Sequence, residues 1–263
     1  MKSIFSLLLL CVFTLSCGCG ISRKSELTRI RKQKEAAARY DAENWTERRN
    51  IARDIVRYYG KDRNDLVLEI LTVAASDPHP SVRIEVVQGF AKIHSAPSLS
   101  MITKAALEDV NDNVRWYALQ ALRSLSDPSS ADTYARCLGS GDWLIREEAI
   151  KGICALDDAV IREKLVPSII KAINDPNAAV MLAALRGVKI KDERIYTAIA
   201  EKLRSATEYN YSQIEASLAA LNGYRLDPKT KEKVIGLLVH NNQQIRILAL
   251  RVLKKDRILT KSQ

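Results

Sequence analysis

Residues 109–122 read Asp-Val-Asn-Asp-Asn-Val-Arg-Trp-Tyr-Ala-Leu-Gln-Ala-Leu. Apolar side chains recur at Val114, Ala118 and Leu122, a spacing of four that places them on one face of a helix. The short polar side chains of residues 109–113 can accept hydrogen bonds from the free N–H groups that open such a helix. The stretch therefore predicts an amphipathic helix that begins at a capped turn.

The same pattern recurs along the chain. In each copy an apolar anchor residue, often followed by Arg, has a small or apolar residue four positions later and aliphatic residues seven to eight positions later. The anchors, 31 to 35 residues apart, are Val82, Val114, Ile145, Val180, Ile214 and Ile245, and a degenerate copy from Arg48 to Val56 precedes them. Internal repeats of this length are typical of stacked helical units.

A second helical pattern precedes each anchor from Val82 onward. These stretches are residues 66–75, 99–107, 131–138, 165–173, 195–203 and 234–239. The repeating unit is therefore a helical hairpin, whose turns are the polar segments 76–78, 108–112, 139–142 and 174–177. Because one hairpin cannot bury its own apolar faces, neighbouring hairpins must stack. The sequence predicts an all-α solenoid.

Composition agrees with this fold class. Ten Gly and seven Pro among 263 residues are too few for the tight turns of a β-sandwich or barrel, and 47% hydrophobic residues exclude disorder as the main character of the chain. The formal net charge of +10 favours an anionic partner or surface but says nothing about fold.

The repeats resemble a known family. The combination of a turn Asp, an anchor Val followed by Arg, and an Ala four residues after the anchor, as at Asp109, Val114, Arg115 and Ala118, is similar to the HEAT repeat, particularly the short variety of phycobilin-lyase-like proteins. The resemblance covers residues 45–256. It implies a right-handed α-solenoid of about six to seven stacked hairpins.

In that family the turn Asp and the Arg after the anchor form an internal ladder. Here Asp77 with Arg83, and Asp109 with Arg115, match at a spacing of six residues. The other copies depart from the pattern at Arg49, Arg146, Met181, Glu215 and Arg246. These Arg residues are interpreted as structural, and none is assigned to a ligand.

The N-terminus predicts an export signal. Lys2 is followed by an apolar run over residues 4–15, which as a helix would reach about 18 Å, short of the roughly 30 Å hydrocarbon core of a bilayer. A signal peptide is therefore favoured over a spanning helix. Leu15-Ser16-Cys17 resembles the lipobox of bacterial lipoproteins, in which the cysteine is diacylated on sulfur and becomes the new N-terminus. Cys19 offers a second possible register.

The predicted organisation is a signal peptide at 1–16, a basic, partly helical tether at 17–44, the solenoid at 45–257 and a tail at 258–263. Such a tether would be attracted to anionic headgroups by about 1 kcal/mol per near-surface cation, or would serve only as a solvated spacer. The predicted location is the bacterial cell envelope, on the periplasmic side or at the outer membrane. The tether cations are Arg23, Lys24, Arg29, Arg31, Lys32 and Lys34.

No arrangement of residues suited to catalysis or metal binding is found in the sequence. His79, His94 and His240 are isolated, and none is followed by Glu, so neither the His-Glu pairs of HEAT-type iron hydroxylases nor paired zinc ligands occur. No cofactor is expected. Cys137 and Cys154, the two cysteines outside the signal region, are expected to be free thiols because the repeat places them too far apart to bridge.

The candidate binding face is a stripe along the second helices, which line the concave side in HEAT-like arrays. Residues two, six and nine positions after each anchor share one side of the helix. The last two of these rows hold seven bases and one acid. The candidate residues are Arg57, Trp116, Arg123, Lys151, Arg186, Lys189, Arg251 and Lys254. Trp116 is the strongest hot-spot candidate. The alternative is that these positions are packed or merely solvated, with the face rotated by one residue.

These features predict a non-enzymatic protein–protein interaction scaffold. It would be a membrane-anchored lipoprotein whose basic concave face binds an acidic protein segment or an envelope polyanion. Two alternatives stay open: a HEAT-like DNA glycosylase or bilin lyase, and a structural envelope spacer without a ligand. Export argues against the enzymes and against a nucleic-acid partner, because DNA and bilin chemistry are cytoplasmic.

Overall fold

The computed structural model describes residues 44–59 and 65–261. All regular secondary structure in these two ranges is helical. No helix among them is both long enough and apolar enough to span a bilayer. The predicted signal peptide and nearly all of the predicted tether lie outside the described residues.

The helices follow one another with short connections. In chain order they are α1 (Trp45–Tyr59), α2 (Asp65–Ala74), α3 (Pro80–Ile93), α4 (Ala96–Glu108), α5 (Asp112–Leu125), α6 (Ala131–Cys137), α7 (Trp143–Ala155), α8 (Ala159–Lys164), α9 (Val166–Ile173), α10 (Ala178–Gly187), α11 (Glu193–Ser205), α12 (Tyr211–Leu221), α13 (Pro228–Gly236) and α14 (Gln243–Lys261). Short 3₁₀ turns cover Pro128–Ser130 and Leu237–Val239.

The helices pair as hairpins that stack in one direction. The hairpins are α2/α3, α4/α5, α6/α7, α9/α10, α11/α12 and α13/α14, and α1 takes the place of a second helix ahead of them. Every second helix packs against the second helix of the next repeat, whereas successive first helices make fewer contacts. The second helices therefore form one continuous layer.

The core repeats with the sequence. In α5 the anchor Val114 and the residues four, five and eight positions later, Ala118, Leu119 and Leu122, are completely buried. The same four positions are buried in α7, and the first three of them, Val180, Ala184 and Leu185, are buried in α10. Burying a Val, Leu or Ile side chain contributes about 1.5–3 kcal/mol, so these positions supply much of the stability. Positions six and nine lie outside this core.

The first copy has a different register from the one predicted. The buried side chains of α1 include Ile51, Ala52 and Ile55, which correspond to positions four, five and eight only when the anchor is Glu47. The prediction that placed this copy at Arg48 was therefore wrong by one residue. Glu47 is not apolar, which is why the shift is invisible in the sequence pattern.

The Arg after the anchor joins two successive turns. Arg83 donates from Nε and Nη2 to the two carboxylate oxygens of Asp109 in the next turn, both at 2.7 Å. Its Nη1 donates to the backbone oxygens of Asp77 and Pro78 in its own turn, at 2.8 and 3.2 Å. One guanidinium thus clamps two neighbouring repeats.

Two further repeats use the same clamp. Arg48 contacts Asp77 at 2.6 and 3.1 Å, and Arg146 contacts Asp175 at 2.7 and 3.0 Å. The hydrogen bond from Arg146 lowers the pKa of Asp175. The carboxylate partner of each Arg belongs to the following repeat, because the side chain points along the stack.

The predicted pairing within a repeat is wrong for this reason. Asp77 meets Arg83 only through its backbone oxygen, and Asp109 does not pair with Arg115. Arg115 instead contacts Asp112 on its own helix at 2.9 Å. The next turn carries Ser140 where a ladder Asp would stand, so no carboxylate is available to Arg115 there.

The predicted caps are present at three of the four turns. The side chains of Asn111, Asp142 and Asn177 accept hydrogen bonds from backbone N–H groups in the first turns of α5, α7 and α10. At α3 the cap is His79, whose Nδ1 accepts from the Ser81 N–H at 3.2 Å. These contacts fix where each second helix begins.

Candidate functional site

The solvent-facing side of the second-helix layer, called here the second-helix face, changes character along the stack. Gln88, Gln120 and Lys151 occupy position six in α3, α5 and α7 and are half-buried. Arg186 and Arg251 occupy the same position in α10 and α14 and are exposed. The predicted stripe is therefore a surface, and its exposed cations concentrate towards the C-terminal repeats.

Two of the predicted binding residues are neutralised by neighbouring carboxylates. The Nε of Arg123 lies 2.6 Å from Oε1 of Glu148, whose side chain is only 2% exposed. The Nζ of Lys151 lies 2.8 Å from Oε1 of Glu147, four residues earlier on α7. Neither acid was predicted as a partner from the sequence, although the spacing of Glu147 and Lys151 is that of a helical ion pair.

Two other predicted binding residues, Trp116 and Arg57, are not exposed members of the stripe: the first is half-buried and the second lies beside it. Trp116 is half-buried on α5 and meets Tyr117 edge to face, with ring centroids 5.1 Å apart. Arg57 is exposed on α1. With Glu47 as the anchor, however, Arg57 is the tenth residue after it and lies one position off the stripe, while the buried Val56 takes the ninth position.

The C-terminal part of the face carries exposed cations. Arg186 and Lys189 lie at the end of α10 and just after it, and Arg251 and Lys254 lie on α14. Among the described residues, no carboxylate forms an ion pair with any of these four. These side chains, unlike Arg123 and Lys151, keep their charge available to a partner.

Lys191 adds a cation that the sequence argument missed. It follows α10, and its Nζ donates to the backbone oxygen of Asn222 at 2.8 Å while lying 4.0 Å from the ring centroid of Tyr224. It sits beside Gly223, whose φ of +90° is a conformation that favours glycine. The small residues Ala220 and Gly223 leave room for this lysine, which lies between the cations of α10 and those of α14.

A cleft of about 350 Å³ opens at the other end of the face, between α3 and α5. Its polar lining groups are the amides of Gln88 and Gln120 and the hydroxyls of Tyr117 and Ser124, with Lys92 as the one charged residue of the lining. The cleft exists because the lining also includes two alanines, which leave space between the helices. Its neutral amides contrast with the cations at the C-terminal end.

The two cysteines of the described chain are free. Burial raises the pKa of the Cys154 thiol to about 12, and burial also raises the pKa of Cys137. Because the thiolate is the reactive form, neither sulfur is a nucleophile at neutral pH. Both thiols serve packing, and the Cβ that an alanine would place at position 187 would lie 2.7 Å from the Cys154 sulfur.

The histidines lie at helix ends. His79 caps α3 and stacks on Trp45, His94 ends the same helix with a positive φ, and His240 precedes α14 with its Nε2 3.1 Å from the backbone oxygen of Glu208. Within residues 44–59 and 65–261, no group of three or more potential metal ligands is found.

Comparison with known proteins agrees with this architecture. A family model described as HEAT repeats matches residues 35–123, which end in α5. Comparison with curated proteins returns no match. The solved structures of similar fold extend the likeness over the remaining repeats.

Three solved structures illustrate the likeness. Escherichia coli YibA has 16% identity and a TM-score of 0.60, with 90% of this chain and 88% of that chain covered. An archaeal HEAT-like repeats protein from Thermococcus onnurineus NA1 has 18% identity and a TM-score of 0.53, covering 92% and 99%. An engineered protein has 14% identity and a TM-score of 0.58, covering 85% and 68%.

The described chain is an α-solenoid. The predicted fold class is confirmed, and the HEAT resemblance is supported both by the family match and by the folds of these structures. In this solenoid, repeats that the family model does not cover use the same hairpin as the repeats that it does.

Proposed function

We propose that this solenoid is a non-enzymatic scaffold that binds an acidic segment of a protein partner on the C-terminal half of its second-helix face. The observation that carries the proposal is the group of exposed cations on α10 and α14, which have no carboxylate partner among the described residues. Lys191 lies between them. The cations of the central repeats are already paired and are not part of this binding site.

The spacing of these cations suits an extended peptide. Successive packed helices lie roughly 8–10 Å apart, so α10 and α14, with α12 between them, are about 20 Å apart. An extended chain covers that distance in roughly six residues. A segment with acidic side chains near both ends would therefore contact both clusters. Because the cations are exposed, the attraction should accelerate association and weaken as salt is added.

The test reverses the charge of the face. Arg186→Glu, Lys189→Glu and Arg251→Glu are combined, and binding of a fluorescein-labelled Glu-rich peptide is followed by anisotropy at moderate salt. The wild-type chain is expected to bind and the triple variant to lose binding. Unchanged binding by the triple variant would overturn the basic-face proposal.

A matched variant controls for net charge. Lys104, Lys164 and Lys229 are exposed lysines on α4, α8 and α13, away from the second-helix face. Replacing all three by Glu produces the same change in net charge. This control is expected to retain peptide binding, and equal losses in both triple variants would reduce the effect to non-specific attraction.

We further propose that the chain is held at a membrane of the bacterial envelope by a lipid on Cys17. The support is the apolar run over residues 4–15 followed by Leu15-Ser16-Cys17. The intact mass of the N-terminal peptide from the membrane fraction tests this. A diacylglyceryl group on Cys17 is expected, and a Cys17→Ser variant should lack it while Cys19→Ser retains it. An unmodified N-terminus that begins at Met1 would overturn the anchor.

A further inference from the structure

The exposed aromatic side chains of the described residues gather at one edge of the solenoid. This turn edge consists of the turns that join first and second helices, together with the starts of the second helices. Trp45 begins α1, Trp143 begins α7, and Tyr209 and Tyr211 flank the start of α12. All four are exposed, Tyr209 to 72%, and no other described Trp, Tyr or Phe side chain is exposed.

Exposed aliphatic side chains extend the same edge. Val110, in the turn before α5, is 95% exposed, and Val239, in the turn before α14, is 88% exposed. Leu144 is exposed beside Trp143. An isolated exposed apolar residue needs no explanation, but a series that recurs at the starts of five of the seven second helices marks an interaction surface.

Contacts between neighbouring turns make the edge continuous at both ends. Trp45 stacks on His79 of the next turn, with centroids 3.9 Å apart and planes 7° from parallel. Tyr211 meets His240 edge to face at 5.6 Å, and its hydroxyl accepts a hydrogen bond from Nδ2 of Asn241 at 3.3 Å. The aromatic rings therefore form part of a shared surface.

Cations accompany the apolar side chains. The last turns of the first helices end at this edge, and in four successive repeats they contain Arg136, Lys171, Lys202 and Lys233. Arg136 and Lys171 are exposed. Exposed acids occur as well, at Glu108, Asp112 and Glu208, and two of these share the turn that contains Val110.

We propose that the turn edge contacts lipid and rests in the headgroup region of the membrane to which the chain is anchored. This inference rests on the proposed lipid at Cys17. Trp and Tyr, each with an apolar ring and a polar tip, favour the water–bilayer interface, and Lys and Arg nearby are attracted to anionic headgroups. The chemistry of the edge fits a phospholipid surface that contains anionic lipid.

The direction of the chain favours a membrane as the occupant. α1 begins at the turn edge with Trp45, so the segment that carries Cys17 joins the solenoid at this edge. Tethering there raises the local concentration of lipid near the edge without any new contact. A bilayer can also contact the turns of many repeats at once. Because the second helices run away from the edge, their exposed face would remain clear of the lipid.

The test compares tryptophan emission at two places in the full chain. One variant retains only Trp143, through Trp45→Phe and Trp116→Phe. The other has all three tryptophans replaced by Phe and carries Ile258→Trp, an exposed position near the far end of α14. Position 258 lies fifteen residues beyond the start of α14 at Gln243, or about 22 Å along the helix. Both variants are bound to vesicles of brominated phosphatidylcholine and phosphatidylglycerol, and flotation is measured on the same samples.

The expected result is a blue shift and quenching of Trp143 emission with no change at position 258. Flotation without quenching of Trp143 would overturn the lipid contact and leave the anchor intact. A chain that does not float would contradict the anchor and the lipid contact together. A blue shift of Trp143 that occurs without vesicles would show that another copy of the protein covers the edge, which also overturns the proposal.

Double substitutions provide a second test of whether the turn edge contacts lipid. Val110→Glu with Val239→Glu places acids on the turn edge at side chains that are almost fully exposed, so folding should be unaffected. Quenching of Trp143 should be lost in this variant. Val160→Glu with Leu250→Glu makes the same change at exposed positions off the edge, on α8 and in the middle of α14, and should leave quenching unchanged.

Discussion

The two halves of the solenoid fasten successive hairpins in different ways. Around the N-terminal turns, Arg48 and Arg83 each reach a carboxylate of the next turn, and both of those carboxylates are nearly buried. Arg146 repeats the contact further along. In this half, a basic residue at the start of a second helix is used for structure and has no charge to offer a ligand.

Among the described residues of the C-terminal half, no Arg after an anchor reaches a carboxylate of the next turn. Asp227 accepts hydrogen bonds from the Tyr196 hydroxyl at 2.6 Å and from the Thr230 backbone at 3.0 Å. Burial raises the pKa of Asp227, but the hydrogen bonds from Thr230 and Tyr196 outweigh this and hold it well below its usual value. Asp256, almost fully buried, accepts from the Leu226 N–H and from Lys231.

A count of basic residues therefore does not identify a binding face. Arg48 and Arg83, at the start of second helices in the N-terminal half, are held in ion pairs with nearly buried carboxylates, whereas Arg186 and Arg251 stay on the surface. What distinguishes the two groups is the presence of a carboxylate within reach of the side chain. This distinction can be tested in both halves.

The largest effect is expected from breaking a ladder contact. Arg83→Ala would leave the buried carboxylate of Asp109 without its cation and would remove the donor to two backbone oxygens. Breaking a buried pair by removing one partner costs about 3–5 kcal/mol. Urea unfolding should show this loss in the free energy of unfolding.

Arg115→Ala is the matched control. It removes the same residue type from the same position of the next repeat, but its partner Asp112 is more than half exposed. A surface pair contributes at most about 1 kcal/mol. If both variants lose the same free energy of unfolding, the contact between Arg83 and Asp109 is not the main interaction that stabilises these turns.

A smaller effect is expected from removing the contacts that Asp256 makes with Leu226 and Lys231. Asp256→Asn keeps an oxygen for the Leu226 N–H but loses the charged contact with Lys231, which lies at 2.7 Å. The expected loss is about 1–3 kcal/mol in the free energy of unfolding. Lys231→Met removes the same ion pair from its more exposed side and leaves the buried carboxylate behind. If neither change alters the free energy of unfolding in urea, the contacts of Asp256 do not stabilise the last hairpin.

The sequence predicted the repeat and its core because both depend on local periodicity. Val114, Ala118 and Leu122 are buried as the spacing of four required, and three caps follow from short polar residues in the turns. The start of α13 was predicted too late, because residues 229–233 carry no helical apolar pattern. Its signal was Asp227 followed by Pro228, the N-cap and first residue of the helix.

The ladder and the candidate site needed the structure for a different reason. Arg83 and Asp109 are 26 residues apart, so their contact depends on how two hairpins stack and leaves no local motif. The stripe itself followed from helical spacing, but the pairing of Arg123 depends on Glu148, which a helical wheel places beside the core. Periodicity places a residue on a face without showing which of its neighbours neutralises it.

Acid should destabilise both halves of the solenoid, because in each half a carboxylate with a lowered pKa must be protonated. The pKa values of Asp175 and Asp256 are lowered in the folded chain, by Arg146 for the first and, against the opposing effect of burial, by Leu226 and Lys231 for the second. A depressed folded pKa contributes stability above the unfolded value of about 3.9 that is lost as pH falls towards the folded value. Denaturation midpoints measured from neutral pH down to that range should therefore fall. Asp175→Asn and Asp256→Asn should each reduce the dependence of the denaturation midpoint on pH. If neither variant changes that dependence, these two carboxylates do not link stability to pH.

The smallest effect separates paired from unpaired cations on the same stripe. Lys151→Met removes one partner of an exposed helical pair with Glu147, so the free energy of unfolding should change by about 0.5 kcal/mol or less. Binding of the Glu-rich peptide should be unchanged, because this charge is already neutralised. Arg186→Met, at the equivalent position of α10, should leave stability equally unaffected but weaken peptide binding. If the two variants bind the peptide equally well, ion pairing is not what divides the face, and the contrast between the two halves would then concern stability alone.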